Sequence, residues 1–359
     1  MSRRILIVRL SAIGDVVMAS GLIPALRARW PDAHLAWLAE PPVRELLADN
    51  PRLDEVIVWP RGEWRQLARE HRYGELARRV RTFVRELRAR RFDLALDLQG
   101  LLKSAIWTRL SGAPERIAIG PREGAQWLAT RAIPRRSEDT RIGSEYRRLA
   151  LELGAPESGF RLDLAVGPAA HAAAEQALRE AFGLDETAPI PPFAVIAPFT
   201  TRPQKHWFAE RWAALAPQLT QQSGWPVVML GGPGDREAAA AIREATPGLV
   251  DLTGRTRLAT SVAIIAQARL LIGVDTGLTH MGIALGVPTL ALFGSTRPYL
   301  DTGSPDARVL WSARACSPCR RHPTCGGTFD CLRDHTPASV LAAARTLPAL
   351  QGRLAERAS

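Results

Sequence analysis

Short apolar runs alternate with longer amphipathic stretches along most of the chain. In the first half, runs rich in valine, isoleucine and leucine predict strands at 4–10, 34–38, 55–59, 92–98 and 116–119. Apolar residues at helical spacing lie between these runs, at 16–29, 42–48, 74–90 and 101–110. Such alternation is typical of a parallel sheet covered by helices, so the first half is predicted to be an α/β domain.

The same alternation restarts after a segment rich in proline, glycine and alanine. Residues 166–192 are predicted to be an extended linker. Strands are then predicted at 193–197, 226–230, 250–252, 270–274 and 289–293, with helices at 209–221, 236–244, 259–267 and 279–286. The chain is therefore predicted to hold two Rossmann-like, doubly wound parallel-sheet domains, 1–165 and 193–335, facing each other across a ligand cleft. Residues 336–359 are predicted to form a C-terminal helix that returns to the N-terminal domain.

The net charge of +11 is concentrated in the first 150 residues, which hold 28 Lys and Arg against 18 Asp and Glu. This excess predicts contact with a polyanion or an anionic membrane face, although solvated helix faces would produce it too. The sequence lacks a basic stripe interleaved with aromatic residues, so no nucleic-acid partner is expected. It also lacks a bilayer-spanning apolar run and a signal-peptide core, and the protein is expected to be soluble and cytoplasmic.

The first candidate for chemistry is the loop that follows the first predicted strand and ends at Asp15. An aspartate where a helix begins serves either as an N-cap, because its oxygen accepts unpaired backbone N–H groups, or as a general base. The loop lacks the GxGxxG pattern of dinucleotide-binding folds, which argues against a dehydrogenase.

Two loops of the second half have the character of phosphate-binding sites. Only two of the 47 basic residues are lysines, and one of them, Lys205, follows two threonines after a predicted strand. A lysine kept in so arginine-rich a chain suggests a site that needs a compact ammonium group. The second loop runs from Asp275 through Gly277 to His280, where a strand ends and a helix begins, so its backbone N–H groups could hold a pyrophosphate. His280 could equally be a satisfied core residue.

Together these loops resemble the motifs of glycosyltransferase family 9, the ADP-heptose:lipopolysaccharide heptosyltransferases. Four segments carry the resemblance: 6–15 with its Gly-Asp, 97–104 (DLQGLLKS), 200–207 (TTRPQKHW) and 275–280 (DTGLTH). The resemblance implies a GT-B fold and an inverting transfer of heptose from ADP-L-glycero-D-manno-heptose to a Kdo sugar of lipid A. It also implies that catalysis needs no metal or other cofactor, and that the enzyme works at the cytoplasmic face of the inner membrane. The segments are most like those of heptosyltransferase I, with heptosyltransferase II or another family 9 transferase as the alternative.

The resemblance also assigns roles to individual residues. Asp15 is implied to be the catalytic base, and it is predicted to face the 275–280 loop across the cleft. The donor-binding residues are implied to be Thr200, Thr201, Lys205, Asp235, Asp275, Thr276, Gly277, Leu278 and His280, with Glu237 as the alternative to Asp235. The acceptor, with its carboxylates and phosphates, is expected to contact Ser11, Gly14, Arg61, Arg65, Gln99, Lys103 and Arg122.

Four cysteines lie within 16 residues, at Cys316, Cys319, Cys325 and Cys331. Because disulfides are disfavoured in the cytoplasm, a structural zinc site is one interpretation, and reduced thiols or a redox-active staple are the others. A rival function from a different class also stays open at this point. The chain could be a non-catalytic protein that binds nucleotides, or nucleic acid through its basic half.

Overall fold

The computed structural model of the chain describes residues 3–135, 138–319 and 322–354, in two compact units. The first unit comprises Met1–Asp139 and Gly143–Ala165, and the second comprises Thr140–Ile142 and Val166–Ser359. Each unit is built on one six-stranded sheet in which all neighbouring strands are parallel. The predicted fold class, two doubly wound α/β units, is confirmed.

The sheet of the first unit has the order β3-β2-β1-β4-β5-β6. Its strands are β1 (Arg4–Val8), β2 (His34–Ala39), β3 (Glu55–Val58), β4 (Leu94–Asp97), β5 (Glu115–Ile119) and β6 (Arg131–Ile133). The chain winds outward in one direction from β1 to β3 and then returns to start again at β4. The loops after β1 and β4 therefore meet at the topological switch point, where open α/β sheets bind their ligands.

Seven helices flank this sheet: α1 (Ile13–Ala19), α2 (Leu22–Arg29), α3 (Pro41–Leu47), α4 (Arg61–Arg69), α5 (Tyr73–Ala89), α6 (Leu102–Leu110) and α7 (Ser144–Glu152). The longest, α5, turns its row of apolar side chains, Leu76, Val80, Phe83, Val84 and Leu87, onto a core cluster. That cluster includes three tryptophans, Trp59, Trp64 and Trp107, whose ring centroids lie 5.5–6.5 Å from one another. The arginines of α5 lie mainly on its outer face.

The second unit repeats this winding, with the order β12-β11-β10-β7-β8-β9. Its strands are β7 (Ala194–Ala197), β8 (Val227–Met229), β9 (Val250–Asp251), β10 (Leu270–Val274), β11 (Thr289–Phe293) and β12 (Ala307–Trp311). Its helices are α8 (Pro168–Phe182), α9 (Ala209–Ser223), α10 (Arg236–Glu244), α11 (Leu258–Gln267), α12 (Gly277–Ala284), α13 (Asp330–Arg333) and α14 (Pro337–Arg345). Here the switch point lies between β7 and β10, which are neighbours in the sheet.

The segment 166–192 was predicted to be an extended linker, but its residues 168–182 form the helix α8. Pro168 occupies the first turn of α8, and Gly183, with φ of 64°, ends it. Proline is tolerated in a first turn, where the N–H has no helical partner, and glycine takes the left-handed conformation at little cost. The side chains of Ala170, Ala174 and Leu178 form the buried face, and α8 packs against α11 in the second unit.

The C-terminal helix also differs from its prediction. α14 packs against α9 and β11, and Val340, Leu341 and Ala344 lie in the hydrophobic core of the second unit. The described part of 336–359 is therefore assigned to the second unit, whereas a return to the N-terminal domain was predicted; residues 355–359 lie outside the described range. Strands β6 and β12 and helices α4, α7 and α13 were not predicted. Among the described residues, none of the helices has the length and apolar character needed to cross a membrane.

Candidate active-site loops

The loop after β1 places Asp15 in an ion pair with a buried arginine. Asp15 is the third residue of α1, whose N-cap is Ala12, so it does not cap the helix. Its carboxylate instead pairs with the guanidinium of Arg9. The side chain of Arg9 is only 5% exposed, whereas that of Asp15 is 40% exposed. The N-cap interpretation is therefore excluded, and the carboxylate is held by Arg9 while part of it is exposed to solvent.

Arg9 joins the two loops of the switch point in the first unit. Its Nη1 donates a hydrogen bond of 2.9 Å to the carbonyl oxygen of Leu98, just after β4. Two residues of α7 lie near the same ion pair: Glu145, whose carboxyl pKa is raised by burial, and Tyr146. Arg9 was not predicted to be a site residue. The available signal was a charged residue directly after the apolar run 5–8.

Gln99 is buried, and its side chain connects the loops after β1 and β4. Its side-chain oxygen accepts a hydrogen bond of 3.2 Å from the backbone N–H of Leu10. The carboxylate of Asp97 accepts hydrogen bonds of 3.0 Å from the N–H groups of Gln99 and Gly100. Gly100 has φ of 65°, and a Cβ there would lie 2.5 Å from the carbonyl oxygen of Ile119. The contacts of Gln99 within the first unit are therefore structural.

Glu40, at the end of β2, brings two predicted acceptor residues together. Its carboxylate lies 3.2 Å from Nη1 of Arg61 and 3.6 Å from Nζ of Lys103. The backbone N–H of Arg122 donates to the carbonyl oxygen of Gly100, which places Arg122 near the start of α6. Three further predicted residues, Ser11, Gly14 and Arg65, are partly or fully exposed on loops or helices that follow β1 and β3.

In the second unit, Lys205 and Asp275 form an ion pair across the switch point. The Nζ of Lys205 lies 2.6 Å from Oδ2 of Asp275 and donates to the Asp275 carbonyl oxygen at 3.3 Å. The hydroxyl of Thr200 donates to the same carbonyl at 3.4 Å. Thr201 is exposed on the same loop. The loops after β7 and β10, predicted separately as donor-binding, are thus joined by direct contacts.

The Asp275 carboxylate has further partners. The hydroxyl of Thr296 donates to Oδ2 at 2.6 Å, and Nε2 of His280 lies 3.4 Å from Oδ1. The other ring nitrogen of His280 is hydrogen-bonded to the Tyr299 hydroxyl at 2.9 Å. Burial would raise the pKa of Asp275, but hydrogen bonding and charge from His280 and Lys205 outweigh it and hold that pKa far below the usual range. Thr296 and Tyr299 were missed by the sequence analysis.

Helix α12 begins directly beside this ion pair. Its N-cap is Thr276, and the partly exposed Gly277 and Leu278 form its first turn. Thr279 does not face the ligand side, because its hydroxyl donates to the Val274 carbonyl at 2.6 Å. The first backbone N–H groups of a helix have no helical partner and carry partial positive charge. Together with Lys205, they give this edge of the sheet the properties of an anion-binding site.

The predicted ribose-binding residue lies after β8, the strand next to β7. The Oδ2 atom of Asp235 accepts a hydrogen bond of 2.7 Å from the backbone N–H of Gly232. One carboxylate oxygen therefore stabilises the turn at 232–235. Glu237, the alternative, is exposed on the first turn of α10. Both residues follow β8, at the same edge of the sheet as Lys205, so the alternative between them stays open.

The predicted zinc site is not assembled. All four cysteines are free thiols, and within the described parts of the chain no three His, Cys, Asp or Glu side chains converge to hold a metal ion. Burial raises the pKa of Cys319 and Cys331, while backbone hydrogen bonds lower that of Cys325. The Cys331 thiol also interacts electrostatically with Cys316, Cys319 and Cys325, so the four thiols lie in one region of the second unit.

Comparison with known proteins gives the family. The model of glycosyltransferase family 9 (heptosyltransferase) matches residues 80–327. Lipopolysaccharide heptosyltransferase 1 of Pseudomonas aeruginosa is 31% identical over 324 residues, 88% of this chain and 86% of that protein. Lipopolysaccharide heptosyltransferase 2 of Salmonella typhimurium is 29% identical, covering 97% and 99%. The solved structure of the Escherichia coli ADP-heptose lipopolysaccharide heptosyltransferase II superposes with a TM-score of 0.74 at 26% identity, covering 97% and 99%. The chain belongs to glycosyltransferase family 9, the heptosyltransferase family.

Proposed function

We propose that this chain transfers a heptose from ADP-heptose to a Kdo sugar of lipid A during assembly of the lipopolysaccharide inner core. The observation that carries the donor half is the Lys205–Asp275 pair beside the amino end of α12, at the switch point of a family 9 fold. The ammonium group and the free N–H groups suit a diphosphate, whose negative charge increases as the sugar leaves.

Asp275 positions this site and does not itself contact phosphate. A carboxylate that is buried and bonded to Lys205, Thr296 and His280 has little capacity left for a ligand, and it would repel an anion. We propose that it holds the Lys205 ammonium group at one place beside the helix. Asp235 would bind the donor ribose, using the carboxylate oxygen that does not close its own turn.

The acceptor half centres on Asp15. In the proposed inverting reaction, the acceptor hydroxyl oxygen attacks the anomeric carbon, the bond from that carbon to the ADP oxygen breaks, and the hydroxyl proton passes to the Asp15 carboxylate. Arg9 orients that carboxylate through their ion pair. General-base catalysis of this kind contributes about 10²–10⁴-fold to the rate. Lys205 and the α12 amides supply the charge stabilisation for departing ADP.

The acceptor is expected to be an anionic lipid. The cationic side chains of Arg61, Arg65, Lys103 and Arg122 follow the strands of the first unit and suit carboxylates and phosphates, while Ser11 and Gly14 line the Asp15 loop. We propose that the enzyme works in the cytoplasm, bound peripherally to the anionic face of the inner membrane.

A second acceptor is favoured by one comparison. The heptosyltransferase 2 of Salmonella typhimurium matches this chain over 97% of its length, including the C-terminal part. The alternative function is therefore transfer of the second heptose, onto a core that already carries the first.

The test offers purified protein and ADP-heptose with Kdo-lipid A, with or without its first heptose, and follows the products by mass spectrometry. Product from Kdo-lipid A alone is the expected result. Product only from the pre-heptosylated acceptor would reassign the chain to the second transfer. The absence of ADP release with either acceptor, together with salt-sensitive DNA or RNA binding, would overturn the proposal.

Substitution of Asp15 tests the mechanism. Asp15→Asn is expected to lower kcat by about 10²–10⁴-fold and to leave ADP-heptose affinity unchanged, because the base acts only on the acceptor. The matched control is Asp49→Asn, at an exposed aspartate of the same unit, and it should keep wild-type turnover. A kcat for Asp15→Asn equal to that of the control would exclude Asp15 as the base.

A further inference from the structure

Three large apolar side chains are exposed together on the first unit. Leu102 and Ile106 lie one turn apart on the outer face of α6 and are 43% and 40% exposed. Trp127 lies in the short 3-10 helix Ala125–Leu128 and is 84% exposed, the highest value among the exposed large apolar side chains. This short helix packs against α6, so all three residues belong to one surface. We call them the apolar patch.

The patch is not needed to hold α6 in place. The opposite face of α6 is buried through Ala105, Trp107 and Thr108, and Trp107 packs in the tryptophan cluster of the core. Single exposed apolar residues are common on monomers, but a cluster on adjacent elements marks a contact surface. A largely exposed tryptophan is the side chain most suited to a boundary between water and an apolar phase, because its ring is apolar and its N–H is polar.

The patch lies beside the residues proposed for the acceptor. α6 begins after β4, at the switch point of the first unit, and Lys103 follows Leu102 directly. The backbone N–H of Arg122 donates to the Gly100 carbonyl, which holds the loop before the 3-10 helix against the start of α6. A lipid whose sugar reaches the switch point would therefore have its membrane close to the patch.

Positive charge surrounds the patch. Arg109 lies one turn after Ile106 and is exposed, as is Arg122. Arg116 adds a further cation beside the 3-10 helix, where its Nε donates a hydrogen bond of 2.9 Å to the carbonyl oxygen of Leu128. Glu123 is the exposed acidic residue next to Arg122. Such a rim is complementary to an anionic surface.

We propose that Leu102, Ile106 and Trp127 enter the interfacial layer of an anionic bilayer while Arg109 and Arg122 contact its phosphates. This inference rests on the proposed function, in which the acceptor is anchored in a membrane. It names the surface by which a chain with no membrane-crossing helix among its described residues reaches that acceptor. Apolar insertion and cationic contact together give the two signals that stable peripheral binding requires.

A second copy of the chain is a less suitable occupant. A two-fold contact through this patch would bring Arg109 and Arg122 of both copies to one interface, where like charges repel. A bilayer rich in phosphatidylglycerol instead supplies negative charge around an apolar layer.

The experiment measures binding of the full chain to vesicles of phosphatidylglycerol and phosphatidylcholine by co-sedimentation. Trp127→Ser is expected to weaken binding on the order of tenfold, because it removes one of the largest apolar side chains from the contact. Leu102→Ser combined with Ile106→Ser should have a similar effect. The control is Leu300→Ser, a 54% exposed leucine of the second unit, which should bind as the wild type does.

Turnover separates this inference from the proposed function. Trp127→Ser should lose activity on vesicle-embedded acceptor and keep it on a Kdo oligosaccharide without acyl chains. If no acceptor is turned over but Trp127→Ser still weakens vesicle binding on the order of tenfold, the docking surface stands and the proposed function fails. Equal vesicle binding by Trp127→Ser and Leu300→Ser would overturn the inference. So would a wild-type dimer that Trp127→Ser converts to a monomer with no change in vesicle binding.

Discussion

The Asp275 carboxylate offers the sharpest test of the proposed donor site, because its ionisation affects stability in a calculable way. The side chain is buried among Lys205, His280 and Thr296, and its pKa is held far below the usual range by His280 and Lys205. Asp275→Asn preserves the shape and removes the charge. At pH 7 the substitution should cost about 3 kcal/mol of unfolding free energy, because the Lys205 ammonium loses its buried partner.

The pH dependence of this cost has a definite sign. In the unfolded chain an aspartate binds a proton near pH 3.9, whereas native Asp275 stays ionised well below that pH. Its contribution is therefore present above about pH 4 and is lost as the pH falls toward the native pKa. The loss relative to pH 7 is about 0.3 kcal/mol at pH 4 and about 1.3 kcal/mol at pH 3.

Urea unfolding of wild type and Asp275→Asn at pH 7, 4 and 3 measures this effect directly. The stability difference between the two proteins should shrink by about 1.3 kcal/mol from pH 7 to pH 3, since asparagine cannot bind the proton. Asp49→Asn controls for the loss of an exposed carboxylate. A difference that stays constant to within about 0.3 kcal/mol would show that the Asp275 pKa is not lowered, and the ion-pair argument for Lys205 would fail.

Three further substitutions test how the loops are held. Gly100→Ala should lower the free energy of unfolding in urea by about 1–3 kcal/mol, because alanine is strained in the left-handed backbone and its Cβ would lie 2.5 Å from the Ile119 carbonyl oxygen. The control is Gly62→Ala, at an exposed glycine with open space around it. Trp207→Phe should cost about 1–3 kcal/mol by thermal unfolding, because its Nε1 donates to two buried carbonyls in the segment 332–335. Arg9→Met should cost about 1.5–3 kcal/mol by guanidinium unfolding, and a loss below about 0.5 kcal/mol would show that its ion pair is not structural.

The sheet strands were the most predictable part of the fold. Buried parallel strands such as β1 and β10 are continuous apolar runs, and ten of the twelve strands were predicted at or near their observed bounds. The two that were missed, β6 and β12, are edge strands containing exposed or partly exposed residues, so their pattern is not continuous. The alanine-rich α8 was missed because alanine and proline suggested a linker. The proline at its start and the glycine at its end were the available helix signals.

Individual site residues were predictable where a motif contained them, and their partners were not. Lys205 and Asp275 are 70 positions apart, and each was predicted from its own loop. Thr296 and Glu40 reach the candidate sites from neighbouring strands whose ends carry no motif, so only the sheet order reveals them. The cysteine spacing predicted that the four thiols lie in one region, but spacing alone does not determine whether three of them adopt the geometry of a metal site.

The two units connect the loops of their switch points by the same kind of contact. In each sheet a buried or half-buried cation crosses the switch point. Arg9 extends from the end of β1 to the loop after β4. Lys205 extends from the loop after β7 to Asp275, which follows β10. Each cation is paired with a carboxylate, but with opposite exposure: Asp15 is open to solvent, whereas Asp275 is buried. An open carboxylate can accept a proton from a ligand, and a buried one can only hold its cation in place. The difference in burial therefore supports the proposal that Asp15 of the first unit accepts the proton and that Lys205 of the second unit binds the anion.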